Sequence, residues 1–277
     1  MIDLHTHSTA SDGGLSPAAL VAHAAAEGIT ALALTDHDTV AGLAEACTAA
    51  AEAGVRFIPG VELNIEWAQG EFHLLGLGLR RPSAELSALI GALQTERRRR
   101  NGEIFRLLRA EYPAASLAEL EARLPDGTVG RPHIADYLVE KGLAADRQDA
   151  FDRFLSKGRR YYAEHAGAKL ADAVSAIRAS GGRAVIAHPL SLHVSWSKFE
   201  RLLRCFRKAG IEGLEAWHPG ARAAECARFE ALAGKAGLFV TAGSDFHGEG
   251  VRVRCAIGHT ADGIPIAERF LPEALRG

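Results

Sequence analysis

The chain has 277 residues, of which 48% are hydrophobic, and its formal net charge is −2. This length suits one large domain or a domain with an insertion, and the apolar content is enough for a sizeable core. The near-neutral charge excludes the broad basic surface that attracts nucleic acid non-specifically, so we do not expect long duplex nucleic acid as a partner.

Seven short β-type runs recur along the chain, and most of them precede Ala- and Leu-rich amphipathic segments. The runs predict strands at residues 2–4, 29–34, 55–61, 72–77, 184–187, 211–216 and 238–242. The segments predict helices at residues 16–27, 40–53, 170–180, 198–209 and 221–236. This alternation predicts an α/β fold with parallel strands, as in β/α barrels.

Residues 83–165 interrupt the alternation, because they contain no clear β-type run and look mostly helical. We interpret them as a helical insertion domain between the fourth and fifth strands, with the barrel in two parts at residues 1–82 and 166–277. An insertion at this place would overhang the barrel mouth and act as a cap. The arginines at 97–100 are typical of a solvated helix face.

Side chains that can bind a metal accompany every predicted strand. His5 and His7 end the first strand and point to the same face, because side chains alternate along a strand. Alone, such a pair has an ordinary alternative as two polar residues at a strand terminus. Because strand ends converge on one mouth of a barrel, the repetition favours a metal site there. The nine candidates are His5, His7, Asp12, His37, Glu62, His73, His188, Asp245 and His247.

These six imidazoles and three carboxylates are more ligands than one tetrahedral zinc takes, which indicates two or three ions with shared ligands. Mixed nitrogen and oxygen donors suit Mn²⁺, Fe²⁺ or Zn²⁺, and the residues themselves do not choose among them. A site of this type performs hydrolysis, because it lowers the pKa of a bound water and neutralises charge on a transferring phosphoryl group.

Six segments resemble the motifs of the polymerase-and-histidinol-phosphatase (PHP) superfamily, in that family's order. They are DLHTHSTASDG, ALTDHDTVAG, PGVELN, HLLG, VIAHP and GSDFH. The resemblance implies a distorted (β/α)7 TIM-like barrel with two or three divalent ions, Mn²⁺ first among them. By position it implies a first metal on His5, His7, Glu62 and Asp245, a second on Glu62, His73 and His188, and a third on Asp12, His37 and His247. Asp12 replaces the histidine of some members.

Two segments of the insertion, VGRPHIADYLVEKG and FLSKGRRYY, resemble the cap of a bacterial subgroup of that superfamily. This resemblance implies hydrolysis of the 3′-phosphate of nucleoside 3′,5′-bisphosphates such as 3′-phosphoadenosine 5′-phosphate. It also implies 5′-to-3′ trimming of short RNA. A small nucleotide and short RNA are therefore the expected partners, and Glu62 and Asp245 the expected catalytic residues at the metals.

Four further residues are candidates for contact with the substrate. Arg131 and His133 flank a proline and could clamp a phosphate, since a guanidinium fits phosphate with two hydrogen bonds. An ordinary loop-to-helix start is the alternative. Arg160 is another candidate for phosphate binding. His218 could contact the substrate or protonate the leaving 3′-oxygen, with a structural hydrogen bond as its alternative.

Several expectations concern the surroundings of the site. Asp36 and Asp38 could orient ligand histidines. Tyr161 or Trp217 could lie beside a base, although packing is the alternative for Tyr161. Two other functions stay open, a histidinol-phosphate phosphatase and a non-catalytic module that binds metal or nucleotide.

The remaining features concern the compartment. The four cysteines are widely spaced and form no CxxC pair, which indicates buried reduced thiols. No apolar run approaches the ~18 residues of a membrane-spanning helix, and no signal segment precedes Ile2. We therefore expect a soluble cytoplasmic protein without a membrane partner.

Overall fold

A computed structural model describes residues 1–124, 128–249, 251 and 255–276 of the chain. The chain divides into two compact units. The barrel unit comprises Met1–Ile90 and Gly167–Gly277, and the helical unit comprises Gly91–Ala166. Within the described ranges, none of the helices is both long and apolar enough to cross a membrane.

The barrel unit contains a seven-stranded sheet in which neighbouring strands follow the order of the chain. Leu4 N–H donates to the carbonyl of Ala242 at 3.3 Å, and His7 N–H donates to that of Phe246 at 2.9 Å, so the last strand returns to the first. The predicted distorted seven-stranded barrel is therefore confirmed. The strands are β1 Ile2–Asp3, β2 Ala31–Leu34, β3 Arg56–Ile65, β4 Phe72–Leu77, β5 Arg183–Ile186, β6 Gly213–Trp217 and β7 Phe239–Ala242.

The expectation of parallel strands throughout is wrong for β4, which runs antiparallel to both β3 and β5. The cause is the short connection at residues 66–71, because a parallel return needs a crossover of about a dozen residues or more. β3 pairs with β4 from Gly60 to Ile65, and His73 lies opposite Asn64. His73, the second residue of β4, therefore lies beside the end of β3 and not at the carboxyl end of its own strand.

The helices of the barrel unit follow the predicted segments with shifts of a few residues at their ends. Ser16 caps α1 by accepting from Ala19 N–H at 3.2 Å. Gly54 and Gly237 end α2 and α9 at φ +69, a conformation that favours glycine. Over both units, the α-helices of the described residues are α1 Pro17–Ala26, α2 Leu43–Ala53, α3 Ala84–Arg109, α4 Leu117–Glu121, α5 Arg131–Glu140, α6 Arg147–Ala150, α7 Leu170–Ala179, α8 Trp196–Lys208 and α9 Ala223–Ala236.

Shorter helical turns complete the described chain. A π-helical turn spans Phe151–Leu155, and 3-10 turns lie at Pro189–Leu192, Ala261–Gly263, Glu268–Phe270 and Glu273–Leu275. The turn at Pro189–Leu192 follows β5 and adjoins the candidate site, so its geometry bears on function below.

Alternation along the strands separates two hydrophobic cores in the barrel unit. Ala31 and Ala33 of β2 face one core together with residues of β1, β3, β4, β5 and β7, which places this core inside the barrel. Leu32 and Leu34 face the other core, which contains α1 and α2. Trp217 packs against the first core and donates Nε1–H to Glu230, which leaves it in a packing role.

The helical unit has its own core, which includes Phe105, Tyr137 and Tyr161. Tyr161 is 2% exposed and stacks on Phe154. Its environment agrees with the alternative that this residue packs in the core. The solvated face expected for the arginine run is wrong at Arg97 and Arg100, which are buried. The guanidinium of Arg100 donates a hydrogen bond to Asn101 Oδ1 at 2.9 Å.

The cysteines are free, as expected, but their burial differs from the expectation. Cys226 is buried and Cys255 is half-buried, whereas Cys47 and Cys205 are exposed. Cys47 lies on α2 and Cys205 lies on α8. The prediction of buried thiols is therefore wrong for these two.

Candidate metal centre

Glu62 of β3 lies at the middle of the candidate site and is fully buried. Its Oε1 lies 3.0 Å from His73 Nδ1 and 2.8 Å from His188 Nε2. Its Oε2 lies 2.9 Å from His37 Nδ1. The same oxygen lies 3.4 Å from Nε2 of His5 and of His7. One carboxylate thus touches imidazoles from both sides of the site, as a ligand shared between ions would.

Asp245 closes the first predicted ligand group. Its Oδ1 lies 3.6 Å from His5 Nε2 and 3.3 Å from His7 Nε2. Asp12 and His247 lie on the far side of His7, with Asp12 Oδ1 3.3 Å from His247 Nε2. Asp12 Oδ2 lies 3.9 Å from His37 Nε2.

The nine candidate ligands fall into four overlapping groups in which the ligand atoms lie within 4.8 Å of one another. The groups are His5, His7 and Asp245; His5, Glu62 and His188; His37, Glu62 and His73; and His7, Asp12, His37 and His247. The fourth group contains the implied third set together with His7. The first group lacks Glu62 of the implied first set, and His73 and His188 of the implied second set fall into different groups, each with Glu62. The structure therefore brings all nine predicted residues together, and their role as ligands stays a prediction.

The donor set fits a cation. His5 Nδ1 lies 2.9 Å from Glu215 Oε1. The neutral His5 ring therefore carries its proton on Nδ1 and turns the lone pair of Nε2 toward the centre. That Nε2 lies only 3.1 Å from His7 Nε2, and both nitrogens face carboxylate oxygens. His7 Nδ1 is buried and has no hydrogen-bond partner among the described residues. Such a concentration of buried lone pairs is unfavourable unless a cation is bound among them.

The charges of the site also favour a cation. Burial alone would raise the pKa of Glu62, but His37, His73 and His5 outweigh it and hold this pKa well below its usual range. Burial lowers the pKa of His7, and the neighbouring His247 and His37 lower it further. These two groups therefore favour the ligand forms, an ionised carboxylate and a neutral imidazole.

His5 behaves differently, because three carboxylates surround it. Burial lowers the pKa of His5, but Glu215, Glu62 and Asp245 outweigh burial and raise it well above its usual range. The same negative field that favours a proton on His5 would favour a metal cation among these groups.

Two candidate ligands occupy strained backbone conformations. His188 has φ +22 and Asp245 has φ +53, values that non-glycine residues rarely adopt. His188 N–H donates to Glu215 Oε2 at 2.7 Å, and Asp245 N–H donates to the carbonyl of His5 at 2.9 Å. Strain held by such bonds is typical of functional sites, and here it directs both side chains toward the centre.

Sequence reasoning missed Glu215 of β6, which is 1% exposed. Its Oε1 lies 2.9 Å from His5 Nδ1 while its Oε2 accepts from His188 N–H. Gly243 makes room for it, because a Cβ there would lie 2.6 Å from Glu215 Oε1. The available signal was a carboxylate between apolar residues of a buried strand, which is costly unless it has a partner.

Asp3 and Asp36 are both buried, and each accepts hydrogen bonds from residues close in the chain to candidate ligands. Asp3 accepts from Ser244 Oγ at 2.5 Å and from Gly258 N–H at 2.8 Å. Asp36 accepts from Ser8 and Ser11 hydroxyls, each at 2.6 Å. The expectation that Asp36 orients a histidine is therefore wrong, because it holds the loop that carries Asp12. Asp38 Oδ1 accepts from Asn64 N–H at 3.1 Å.

His218 lies at the edge of the centre. Its Nδ1 accepts from Gly220 N–H at 2.9 Å, so the neutral ring carries its proton on Nε2. That Nε2 lies 3.3 Å from Asp245 Oδ2. A Cβ at position 220 would lie 2.9 Å from His218 Nδ1, so this contact depends on Gly220.

The predicted phosphate-binding residues lie in the helical unit, and their role stays a prediction. Arg131 is the first residue of α5. His133 Nδ1 accepts from Gly130 N–H at 3.0 Å, a contact that belongs to a helix start. Arg160 Nε lies 2.6 Å from Glu111 Oε1, and 64% of its side chain is exposed.

Comparison with known proteins gives consistent similarities over most of the chain. A 3′,5′-nucleoside bisphosphate phosphatase from Chromobacterium violaceum is 38% identical, over 96% of this chain and 93% of that protein. A 5′-3′ exoribonuclease from Haemophilus influenzae is 37% identical, over 88% of this chain and 89% of that protein. The solved structure of an amidohydrolase from Chromobacterium violaceum, with bound sulfate and no metal, matches with a TM-score of 0.86. It is 36% identical, over 95% of this chain and 92% of that chain.

The family assignment follows from the same comparisons. The PHP domain matches residues 3–212, which are more than half of the chain and contain seven of the nine candidate ligands. The resemblance carried by the sequence motifs is therefore confirmed. The chain belongs to the PHP domain family.

Proposed function

We propose that the chain is a phosphoesterase that hydrolyses the 3′-phosphate of nucleoside 3′,5′-bisphosphates. The products would be the nucleoside 5′-monophosphate and inorganic phosphate. The observation that carries the reaction type is the convergence of imidazoles and carboxylates around buried Glu62. The substrate class is supported by the similarity to the Chromobacterium violaceum phosphatase of that name.

The centre would hold two or three divalent ions, and we propose Mn²⁺ with Zn²⁺ or Fe²⁺ as alternatives. The mixed nitrogen and oxygen donors support this choice. When bound, such ions supply a nucleophile at neutral pH and neutralise charge on the phosphoryl oxygens. Glu62 would help to hold both the first and the second ion, because its Oε2 lies near His5 and His7 and its Oε1 lies near His73 and His188. Asp245 would help to hold the first ion together with His5 and His7.

His218 would act as the general acid. The donor would be the imidazolium form, which carries a proton on Nε2, 3.3 Å from Asp245 Oδ2, and a second proton on Nδ1, which then no longer accepts from Gly220 N–H. A water oxygen forms a bond to phosphorus and loses a proton to solvent as the P–O3′ bond breaks. The leaving 3′-oxygen takes the Nε2 proton of the His218 imidazolium, and the ring becomes neutral with its remaining proton on Nδ1. General-acid catalysis of this kind contributes about 10²–10⁴-fold to rate.

A second activity on short RNA is supported by the similarity to the Haemophilus influenzae exoribonuclease. In an RNA with a 5′-phosphate, the first internucleotide linkage is also an ester of a 3′-oxygen. Hydrolysis of its P–O3′ bond would release a nucleoside 5′-monophosphate. The same centre and the same proton donor would therefore serve both substrates, giving trimming from the 5′ end.

The test is product identification after metal analysis. Purified protein reconstituted with Mn²⁺ is incubated with 3′-phosphoadenosine 5′-phosphate, adenosine 3′-monophosphate, histidinol phosphate and a short 5′-phosphorylated RNA. We expect adenosine 5′-monophosphate and phosphate from the first substrate. Release of adenosine 3′-monophosphate would reverse the orientation. A preference for histidinol phosphate would favour the alternative phosphatase. Bound metal without any hydrolysis would indicate a non-catalytic module.

A further inference from the structure

A cavity of about 330 Å³ in the barrel unit opens beside the candidate metal centre. His73, His188 and Asp245 line one end of it, together with His218. This volume is near the lower end of the range of ~300–1,000 Å³ for small-molecule pockets. The cavity is therefore large enough for one small ligand that reaches the metals with one of its groups.

The walls away from the centre are mainly apolar. Pro189, Leu190, Ala216, Ala221 and Phe229 line them, and a few polar groups from the connection before β4 and from the turn after β5 complete the lining. An apolar wall with a few polar groups is the usual lining of a ligand pocket. It gives no advantage to a free phosphate ion, which the centre alone could bind, but it suits an organic group attached to that phosphate.

Leu190 is the most exposed part of this wall. Only Leu190 and Ile264 are strongly exposed among the large apolar side chains of the described residues, at 37% and 40%. A single exposed apolar side chain is ordinary in a soluble protein. Leu190 differs from Ile264 because it is continuous with the other apolar residues of the cavity.

The turn that carries Leu190 is held firmly in place. Ser191 Oγ donates to the carbonyl of Glu71 at 2.9 Å, and Glu71 N–H donates to the carbonyl of Ser191 at 2.8 Å. Trp67 Nε1–H donates to the carbonyl of Leu192 at 3.0 Å. His188 and His193 at the two ends have φ +22 and φ +50. Bonds from a neighbouring loop thus hold a strained turn, as is common in ligand clamps.

His218 determines which part of a substrate the cavity would receive. It lies where the centre meets the cavity, with its Nε2 proton toward Asp245. A leaving oxygen that takes this proton must lie next to the cavity, and so must the carbon atoms bonded to it. Because the leaving oxygen of the proposed substrate is the ribose 3′-oxygen, the nucleoside enters the cavity.

We propose that this cavity is the nucleoside subsite of the barrel, with the nucleobase packed on Leu190 and the ribose next to His218. This inference rests on the proposed function for the identity of the phosphate ester. It adds a determinant of substrate choice that lies wholly within the barrel unit. The base contacts are apolar, so both purines and pyrimidines are accepted.

The variant Leu190→Asp tests the subsite, and Ile264→Asp is the matched control on the other exposed apolar residue. We expect Leu190→Asp to lower kcat/KM for 3′-phosphoadenosine 5′-phosphate about tenfold, the scale of a lost apolar contact in a pocket. Its kcat/KM for ribose 3,5-bisphosphate, which lacks the base, should stay within about twofold of the wild type. The conservative variant Leu190→Met should keep most of the wild-type kcat/KM on the nucleotide.

Three kinetic results would overturn the subsite. The first is that Leu190→Asp behaves like Ile264→Asp on the nucleotide. The second is that Leu190→Asp lowers kcat/KM equally for the substrates with and without the base. The third is that Leu190→Met loses as much kcat/KM on the nucleotide as Leu190→Asp does.

Calorimetric titration with adenosine 5′-monophosphate separates this inference from the proposed function. If the wild type hydrolyses no bisphosphate but binds this nucleotide, and Leu190→Asp weakens binding about tenfold, the subsite stands and the proposed reaction fails. If the wild type hydrolyses the bisphosphate and Leu190→Asp leaves nucleotide binding unchanged, the reaction stands and the subsite is wrong. Absence of any binding by the wild type also overturns the subsite.

Discussion

Glu215 and His5 form a buried carboxylate–imidazole pair, with 2.9 Å between Glu215 Oε1 and His5 Nδ1. The other oxygen of Glu215 accepts from the backbone N–H of His188. One side chain of β6 therefore fixes the ring of one candidate ligand and the backbone of another. Because the bond occupies His5 Nδ1, it leaves Nε2 as the nitrogen available to a metal.

The first prediction concerns this pair. Glu215→Gln should weaken metal binding about 10–100-fold, because a carboxylate behind a ligand histidine fixes the ring and raises its basicity. The measurement is competition with a chelator, followed by metal analysis of the protein. Glu212→Gln is the matched control, since Glu212 pairs with Arg183 at 2.9 Å outside the centre. Equal metal affinity in the two variants would show that Glu215 has no positioning role.

Glu62 carries the second prediction. Glu62→Ala should remove metal and activity together, with a loss of about 10²–10³-fold or more in kcat, because Glu62 faces both halves of the donor set. Metal content by mass spectrometry and phosphate release are measured on the same sample. Glu66→Ala, just beyond the end of β3 at an exposed position, should retain both. A Glu62→Ala protein with full metal content and full turnover contradicts the proposed centre.

Much of the site could be predicted because its residues follow β-type runs, where they stand out against apolar neighbours. The alternation predicts His73 on a parallel strand, whereas the short connection at residues 66–71 makes β4 antiparallel to β3. Glu215 was missed because its partner His5 is 210 residues away in the chain. No local pattern reports that pairing, which exists only once the sheet closes.

The burial of Arg97 and Arg100 was missed for a related reason. Consecutive arginines on a helix read as solvated when the helix is considered alone. The acceptor of Arg100 is its neighbour Asn101, and Asn101 in turn donates to the carbonyl of Val129 at 2.8 Å, 28 residues away in the chain. Helix periodicity is local, whereas this contact is not.

The third prediction is a pH dependence. Burial raises the pKa of Asp36 to about 6, although bonds from Ser11 and Ser8 oppose the rise. Between pH 4 and 6 the folded state keeps this proton while the unfolded state loses it. The contribution of Asp36 to the free energy of unfolding is therefore present in full below about pH 4 and falls as pH rises to 6, by up to about 3 kcal/mol.

Urea unfolding of metal-chelated protein measures this effect. The difference in unfolding free energy between the wild type and Asp36→Asn should fall from pH 4 to pH 6 and stay constant above that. Ser11→Ala is the companion variant, because it keeps the carboxyl and removes a bond that lowers its pKa. The unfolding free energy of Ser11→Ala relative to Asp36→Asn should keep falling to a higher pH than that of the wild type, because the pKa of Asp36 is higher in this variant. A difference that is constant from pH 4 to 7 would contradict the raised pKa.

Arg131 carries the fourth prediction, which concerns the second phosphate of the substrate. Arg131→Ala should raise KM for 3′-phosphoadenosine 5′-phosphate about tenfold while metal content stays unchanged, because a guanidinium binds phosphate with two hydrogen bonds. KM for adenosine 3′-monophosphate should change little. Arg123→Ala is the control, since Arg123 pairs with Glu119 at 2.6 Å on the surface of the same unit. An Arg131→Ala enzyme that prefers the bisphosphate as strongly as the wild type does would remove Arg131 from phosphate recognition.

The fifth prediction distinguishes His218 as a proton donor from His218 as a structural residue. His218→Asn should lower kcat about 10²-fold on the nucleotide, whose ribose oxygen is a poor leaving group. Hydrolysis of p-nitrophenyl phosphate should fall far less, because p-nitrophenolate leaves without a proton. Metal content should be unchanged in this variant.

Gly220→Ala tests the same assignment without removing the imidazole. Its Cβ would lie 2.9 Å from His218 Nδ1, so it should displace the ring and lower kcat on the nucleotide more than on p-nitrophenyl phosphate. Gly234→Ala on α9, where an added Cβ meets nothing within 4 Å among the described atoms, should leave both rates unchanged. If His218→Asn slows both substrates equally, the residue organises the site instead of donating the proton, since loss of a general acid is felt in proportion to the basicity of the leaving group.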